Sequence, residues 1–217
     1  MAKANLITLT DPRSAAAEAF RTLRTNLMFS SVEKPITTLL LTSSAQPDGK
    51  SAALANLAVT FAQSGNTTIL VDCDLRKPSQ HTLWGVENTR GLTTMMTETG
   101  ALANPPFVTT EVENLTLLLA GPLPPNPADI LSNRRMDEII GLLKARANYV
   151  LFDAPPVLAA TDAVLLGHKV DGVLLVVQAG STRRDDVLRA RQALERVHVR
   201  VIGAALMNAP RERASGY

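Results

Sequence analysis

A polar stretch, SSAQPDGK, is set between two short apolar runs and is followed by an uninterrupted Ala- and Leu-rich segment. The first run covers residues 36–42 and is β-branched and Leu-rich. The Ala/Leu segment covers 51–63 and closes on Ser64-Gly65-Asn66. The second run, 67–71, ends on Asp72. Strand, loop, helix, turn and strand in that order make a βαβ unit, which requires parallel pairing and a right-handed crossover. The alternation continues, with strands expected at 115–119, 149–152, 173–177 and 201–207. Helices are expected at 127–146, with Pro127 near the start, and at 183–197. A further helix at 14–30 starts after Asp11-Pro12 and ends near Ser30-Ser31. The strands are continuous apolar runs, as when helices cover both faces of a sheet. Residues 76–113 and the Pro-rich GPLPPNP (121–127) read as excursions on the rim. The expected architecture is α/β: a single doubly wound domain over 1–217 with a mostly parallel central sheet flanked by helices.

Composition supports this. Of 217 residues, 46% are hydrophobic but only 4% aromatic (five Phe, one Trp, two Tyr), so aliphatic side chains must fill the core. The apolar fraction excludes disorder, and a sole cysteine, Cys73, excludes a disulfide scaffold. With 22 basic and 20 acidic residues, the formal charge of +2 gives no basic stripe for nucleic acid. The opening MAKANL lacks the apolar stretch of a secretory signal, and no window approaches the roughly 20 apolar residues of a membrane span. A cytoplasmic location is expected.

Open α/β sheets bind ligands at the carboxyl ends of their strands, so the polar residues beyond Thr42, Val71 and Phe152 should converge. Asp48-Gly49-Lys50-Ser51 stands where the first strand passes into a helix. A phosphate loop needs small residues for tight wrapping, inward N–H groups, a helix N-terminus, a lysine for β/γ oxygens and a hydroxyl for Mg²⁺. Lys50 and Ser51 suit the last two needs. The pattern departs from G-x-x-x-x-G-K-[ST] at Ser44, and Pro47 has no N–H to offer. Gly-Lys-Ser alone also occurs in ordinary polar strand–helix turns. ILVDCDLRKP places Asp72 and Asp74 at one strand end, an expensive pair unless a cation or a proton-accepting role uses them. YVLFDAPP caps another strand with Asp153, the Walker B arrangement that helps hold Mg²⁺. Each aspartate singly also suits a turn or N-cap. Three such features on one predicted edge point to a P-loop NTPase site.

The set TSSAQPDGKSAALANLA, ILVDCDLRKPS, AGPLPPNPADIL and YVLFDAPPVLAATDA, with the opening ITLTDPRSAAAEAFRTLRTNL, resembles the bacterial protein-tyrosine kinases (BY-kinases) of capsular and exopolysaccharide systems. The resemblance runs from about residue 7 to 208. It implies a Mg-ATP-dependent autokinase related to partition and cell-division ATPases. By resemblance, Asp48, Gly49, Lys50, Ser51 and Ala52 form the nucleotide loop, with Lys50 on the phosphates. Ser51, Asp74 and Asp153 would serve Mg²⁺, and Asp72 would be the base for the incoming tyrosine. Lys50, Asp72 and Asp74 are thus the implied catalytic set. Asn208 matches the position near adenine, though a strand-end turn residue is an equal reading. Glu18, Arg21 and Arg24 match the family's E-x-x-R-x-x-R subunit contact of ring-shaped oligomers, within an N-terminal segment 1–35. The bland reading is a solvated, salt-paired helix face. A membrane-embedded polysaccharide chain-length regulator is the implied activator, which would keep the kinase at the inner face of the membrane.

The family's tail carries a cluster of tyrosines. Here residues 209–217 hold one, Tyr217, the implied phosphoacceptor; Tyr149 lies in an expected strand and should be buried. Ala52 stands where Thr or Ser is common, and Gln46-Pro47 replaces the family's Pro-Gly. Arg76 and Lys77 read either as solvated charges or as contacts to nucleotide and partner. Two alternatives stay open: an ATPase switch of the partition type, whose signature lysine is Ala45 here, and a non-catalytic ATP-binding module.

Overall fold

The apolar runs become strands of a seven-stranded sheet in the computed structural model, which describes residues 5–30, 34–46 and 49–209. In chain order the strands are β1 (Thr38–Ser43), β2 (Thr68–Asp72), β3 (Val108–Thr109), β4 (Leu115–Leu118), β5 (Tyr149–Asp153), β6 (Gly172–Gln178) and β7 (Val201–Met207). Their spatial order is β3-β4-β2-β5-β1-β6-β7, parallel throughout except for the two-residue edge strand β3. The reversal of strand order around β1 opens the crevice at which doubly wound sheets take ligands.

Helices cover both faces. They are α1 (Ile7–Thr10), α2 (Ala15–Phe29), α3 (Lys50–Gln63), α4 (Gln80–Trp84), α5 (Leu92–Thr97), α6 (Pro127–Ser132), α7 (Arg134–Lys144), α8 (Asp162–Gly167) and α9 (Arg184–Glu195). The period of two along each strand divides the core. Leu39, Leu41, Leu70 and Leu151 face α2 and α3, whereas Leu40, Ile69, Val71, Val150 and Phe152 face the side of α5, α7, α8 and α9. Helix α3 is buried almost all round, which explains its alanines: Ala53, Ala55, Ala58 and Ala62 let it lie close to the sheet and to α2. Asn56 of α3 ties the N-terminal segment down by accepting from the amide (3.0 Å) and hydroxyl (2.9 Å) of Thr8.

Two expectations change. The helix expected over 127–146 is two helices, because Asn133 adopts an extended ψ of 145° and its side chain caps Arg135 N at 2.9 Å. Asparagine competes for backbone donors in this way and favours caps over helix interiors. Residues 76–113 are more than a rim excursion. They bury Trp84, Leu92 and Met95 and add β3 to the sheet. Gly91 makes this possible: a Cβ there would lie 2.0 Å from the carbonyl of Leu119, where Leu92 N now bonds at 2.7 Å. That contact stitches the start of α5 to the chain just after β4.

Candidate active site

The central strands β2, β5 and β1 are neighbours, and their register aligns Asp72 with Asp153 and Asp153 with Leu41. Three polar strand ends therefore meet at one edge. Gly49 caps α3 in the left-handed conformation (φ 65°), and a Cβ on it would meet nothing within 4 Å. Glycine takes that conformation without steric penalty, and the open space lies at the N-terminus of a 14-residue helix. From the first turn Lys50 reaches inward. Its Nζ lies 3.1 Å from Asp74 Oδ2, 3.6 Å from Asp153 Oδ1 and 3.4 Å from Ser51 Oγ, and the residue is 4% exposed.

Burial of three carboxylates around one lysine leaves excess negative charge. Desolvation first, then the neighbouring Asp153 and Asp74, push the Asp72 carboxyl up to about 8 against the pull of backbone N–H donors. Burial also raises Asp153, opposed by the Lys50 charge and by the nearby polar side chains of Ser51 and Gln80. A bound cation would relieve both. Asp153 Oδ1 is buried with no hydrogen-bond partner, as is Ser44 Oγ. No group of three or more His, Cys, Asp or Glu with metal-holding geometry occurs among the described residues. Mg²⁺ needs only one or two carboxylates, since water and phosphate complete its shell. The residues present fit a magnesium nucleotide.

Asp72 is fully buried and acts as a cap. Its Oδ2 accepts from the amides of Ser79 (3.1 Å) and Gln80 (3.0 Å), and its Oδ1 from Asp74 N (3.2 Å). Ala52 and Asn208 stand apart from the carboxylates, on a groove of about 1010 Å³ that begins at Gly49 and runs between α2 and β7. Asn208 has a positive φ of 54° just beyond β7. Asp48 and Tyr217 lie outside the described residues.

The stripe on α2 divides. Glu18 and Arg21 pair on the surface at 2.7 Å, and Arg21 also donates to the carbonyl of Pro12. Arg24 turns inward to the carbonyl of Thr60 at 2.8 Å. Arg76, read as a solvated charge or as a contact to nucleotide and partner, makes a two-pronged bridge to the buried Asp162, both bonds 2.9 Å. Tyr149 is half-buried rather than buried, its ring 4.4 Å from that of Phe61. Gln80 and Asp162 are not among the residues expected at the site from sequence. Gln80 is fully buried against Ser51 and Asp153, and its one signal was a polar side chain in a segment that otherwise looked peripheral.

Fold and site together define a nucleotide-binding α/β protein of the P-loop class. No family model matches the chain. It is 38% identical over 213 residues to the tyrosine-protein kinase YwqD of Bacillus subtilis, covering 98% of this chain and 90% of that one. The kinase domain of the Escherichia coli tyrosine kinase ETK superposes with a TM-score of 0.90 at 30% identity, over 98% of this chain and 83% of that domain. A more distant fold relative, the septum site-determining protein MinD of Pyrococcus horikoshii complexed with Mg-ADP, gives 0.64 at 21% identity over 78% of this chain and 69% of its own. The chain belongs to the bacterial protein-tyrosine kinases.

Proposed function

We propose that the protein is a Mg-ATP-dependent autokinase that phosphorylates the C-terminal Tyr217 of a neighbouring subunit and thereby regulates capsular or exopolysaccharide synthesis and export. The observation that carries this is the buried meeting of Lys50, Asp74 and Asp153 behind the open backbone at Gly49. Backbone N–H groups at the start of α3 bind the phosphates, with Asp48 completing the loop. Lys50 orients the β/γ oxygens and neutralises charge as the bond from the γ-phosphorus to its bridging oxygen breaks. Ser51, Asp74 and Asp153 would hold Mg²⁺, which supplies charge neutralisation on the phosphates. The tyrosine oxygen forms the new bond to phosphorus, and its proton passes to Asp72. The place of Asp72 at the end of β2, in register with Asp153, supports that assignment. Adenine occupies the groove at Ala52 and Asn208.

The N-terminal segment 1–35 belongs to the same domain and brings subunits together through the exposed Glu18 and the half-buried Arg21, in a ring if the contact repeats. No described helix is long and apolar enough to cross a membrane. Attachment to the inner membrane face is assigned to a partner. That partner is a membrane-embedded polysaccharide chain-length regulator whose cytoplasmic segment activates the kinase.

Intact mass after incubation with Mg-ATP and an activator segment tests the reading. Phosphate is expected on Tyr217 and absent in Lys50→Met. Labelled γ-phosphate released to water, with none on protein, would instead assign an ATPase switch.

A further inference from the structure

One buried side chain joins all three parts of the site without belonging to any of them. Gln80 opens α4, and its amide uses every hydrogen-bonding group it has towards the protein. Its Nε2 donates to Asp153 Oδ2 at 2.8 Å and to the carbonyl of Ser51 at 3.1 Å. Its Oε1 accepts from Trp84 Nε1 at 3.3 Å, and its main-chain N–H reaches Asp72 Oδ2 at 3.0 Å. The orientation of the amide is fixed by this set. A flipped amide would face a carboxylate and a carbonyl with an oxygen, and would meet the indole N–H with its own donors.

The consequence falls on Asp153. One of its oxygens is taken by a neutral donor, and the other, with no hydrogen-bond partner, is left on the Lys50 side. Without that donor, both oxygens of this fully buried carboxylate would lack a hydrogen-bond partner. The same amide holds the first turn of α3 through the Ser51 carbonyl, so two proposed metal-bearing elements are locked in one relative position. Groups of this kind, behind the ligands, typically tune metal affinity by about 10–100-fold.

We propose that Gln80 is a positioning residue that aims Asp153 and Ser51 at the magnesium of the bound nucleotide, with Trp84 holding its amide. This rests on the reading of Asp153 and Ser51 as metal-bearing residues given under the proposed function. Because Trp84 is the single tryptophan and 7% exposed, its emission reports the state of the site.

Calorimetric titration of the full chain with ADP, with and without Mg²⁺, separates the possibilities. Wild type should bind ADP more tightly with Mg²⁺ than without, and absence of that gain would overturn the metal reading and this inference with it. Gln80→Met keeps the side-chain volume but removes both donors. It should cut the gain from Mg²⁺ by about tenfold or more, while Mg-free ADP affinity stays within about twofold. A gain like that of wild type, or an equal loss of Mg-free affinity, would overturn the role of Gln80 alone. Trp84→Phe serves if Gln80→Met does not fold. It removes the bond that orients the amide, along with part of the ring volume, and should reduce the gain about threefold; no reduction counts against the proposal. In wild type, Mg-ADP should change Trp84 emission, and unchanged emission overturns the indole link.

Discussion

Arg24 on α2 donates to the carbonyl of Thr60 in the last turn of α3, 2.8 Å away and 36 residues along the chain. The amide of Ser64, which would otherwise reach that carbonyl, bonds to Phe61 instead. Arg24 therefore fills an orphan acceptor and places a cation at the negative end of a helix that has no basic residue in its own last turn. The motif read as a subunit contact thus includes one residue that staples the subunit to itself.

The measurable consequence is a split within the motif. Arg24→Ala should cost about 1 kcal/mol in urea or thermal unfolding. That corresponds to about 2–4 °C in Tm for a chain of this length. Glu18→Ala should stay within about 0.5 kcal/mol, because its pair with Arg21 is exposed. Equal losses from the two variants would refute the division.

Arg76 and Asp162 form a second long-range tie, across 86 residues of sequence, between the segment that follows Asp74 and the start of α8. Asp162 is fully buried while the arginine side chain is 43% exposed, so the aspartate depends on its partner more than the reverse. Arg76→Ala should destabilise by about 2 kcal/mol, because it strands a buried charge. Adding Asp162→Ala should recover part of that loss, and a double-mutant cycle in urea measures the coupling. Strictly additive losses would show that the bridge contributes nothing.

Ties of this kind leave no local mark in the sequence. The parallel core was legible because strands buried on both faces must be continuous runs of Leu, Val and Ile, and the runs at 36–42 and 67–71 have no other use. The site edge was legible too, since parallel strands end together and each carries its polar residue just past the run. What escaped was set by contacts between distant segments. Nothing local at Gln80 announces that its amide fits between Ser51 and Asp153, and nothing at Arg24 announces an acceptor on α3. The break at Asn133 was readable in principle, because asparagine prefers a cap to a helix interior, but the apolar pattern ran on past it. β3 is two residues long and carries no periodicity to detect.

Acid stability should depend on Asp171, which precedes β6 and caps the start of β1. Burial pushes its carboxyl up, but hydrogen bonds from the Thr37 hydroxyl and the Thr37 and Thr38 amides outweigh this and hold it down at about 2. A carboxylate lowered by folding stabilises the fold fully above its ordinary value of 3.8, and that contribution disappears as pH falls towards about 2. After allowance for solvent screening it amounts to about 1 kcal/mol. Unfolding curves of wild type and Asp171→Asn between pH 6 and pH 2 should therefore converge on acidification. Parallel curves across that range would contradict the assignment.

The last prediction concerns which tyrosine takes phosphate, since the chain has only two. Tyr149 begins β5 and Asp153 ends it. At about 3.3 Å per residue that puts them about 13 Å apart along one strand. Lys50 stands at the Asp153 end, while the Tyr149 ring rests on Phe61 near the far end of α3. No rotamer brings that phenol to its own phosphate site. Tyr149→Phe should keep the packing against Phe61 and leave phosphate incorporation at the wild-type level, whereas Tyr217→Phe should reduce it to background. Phosphate that survives Tyr217→Phe and disappears in the double variant would place Tyr149 within reach of a neighbour's Lys50 and remove Tyr217 as the acceptor.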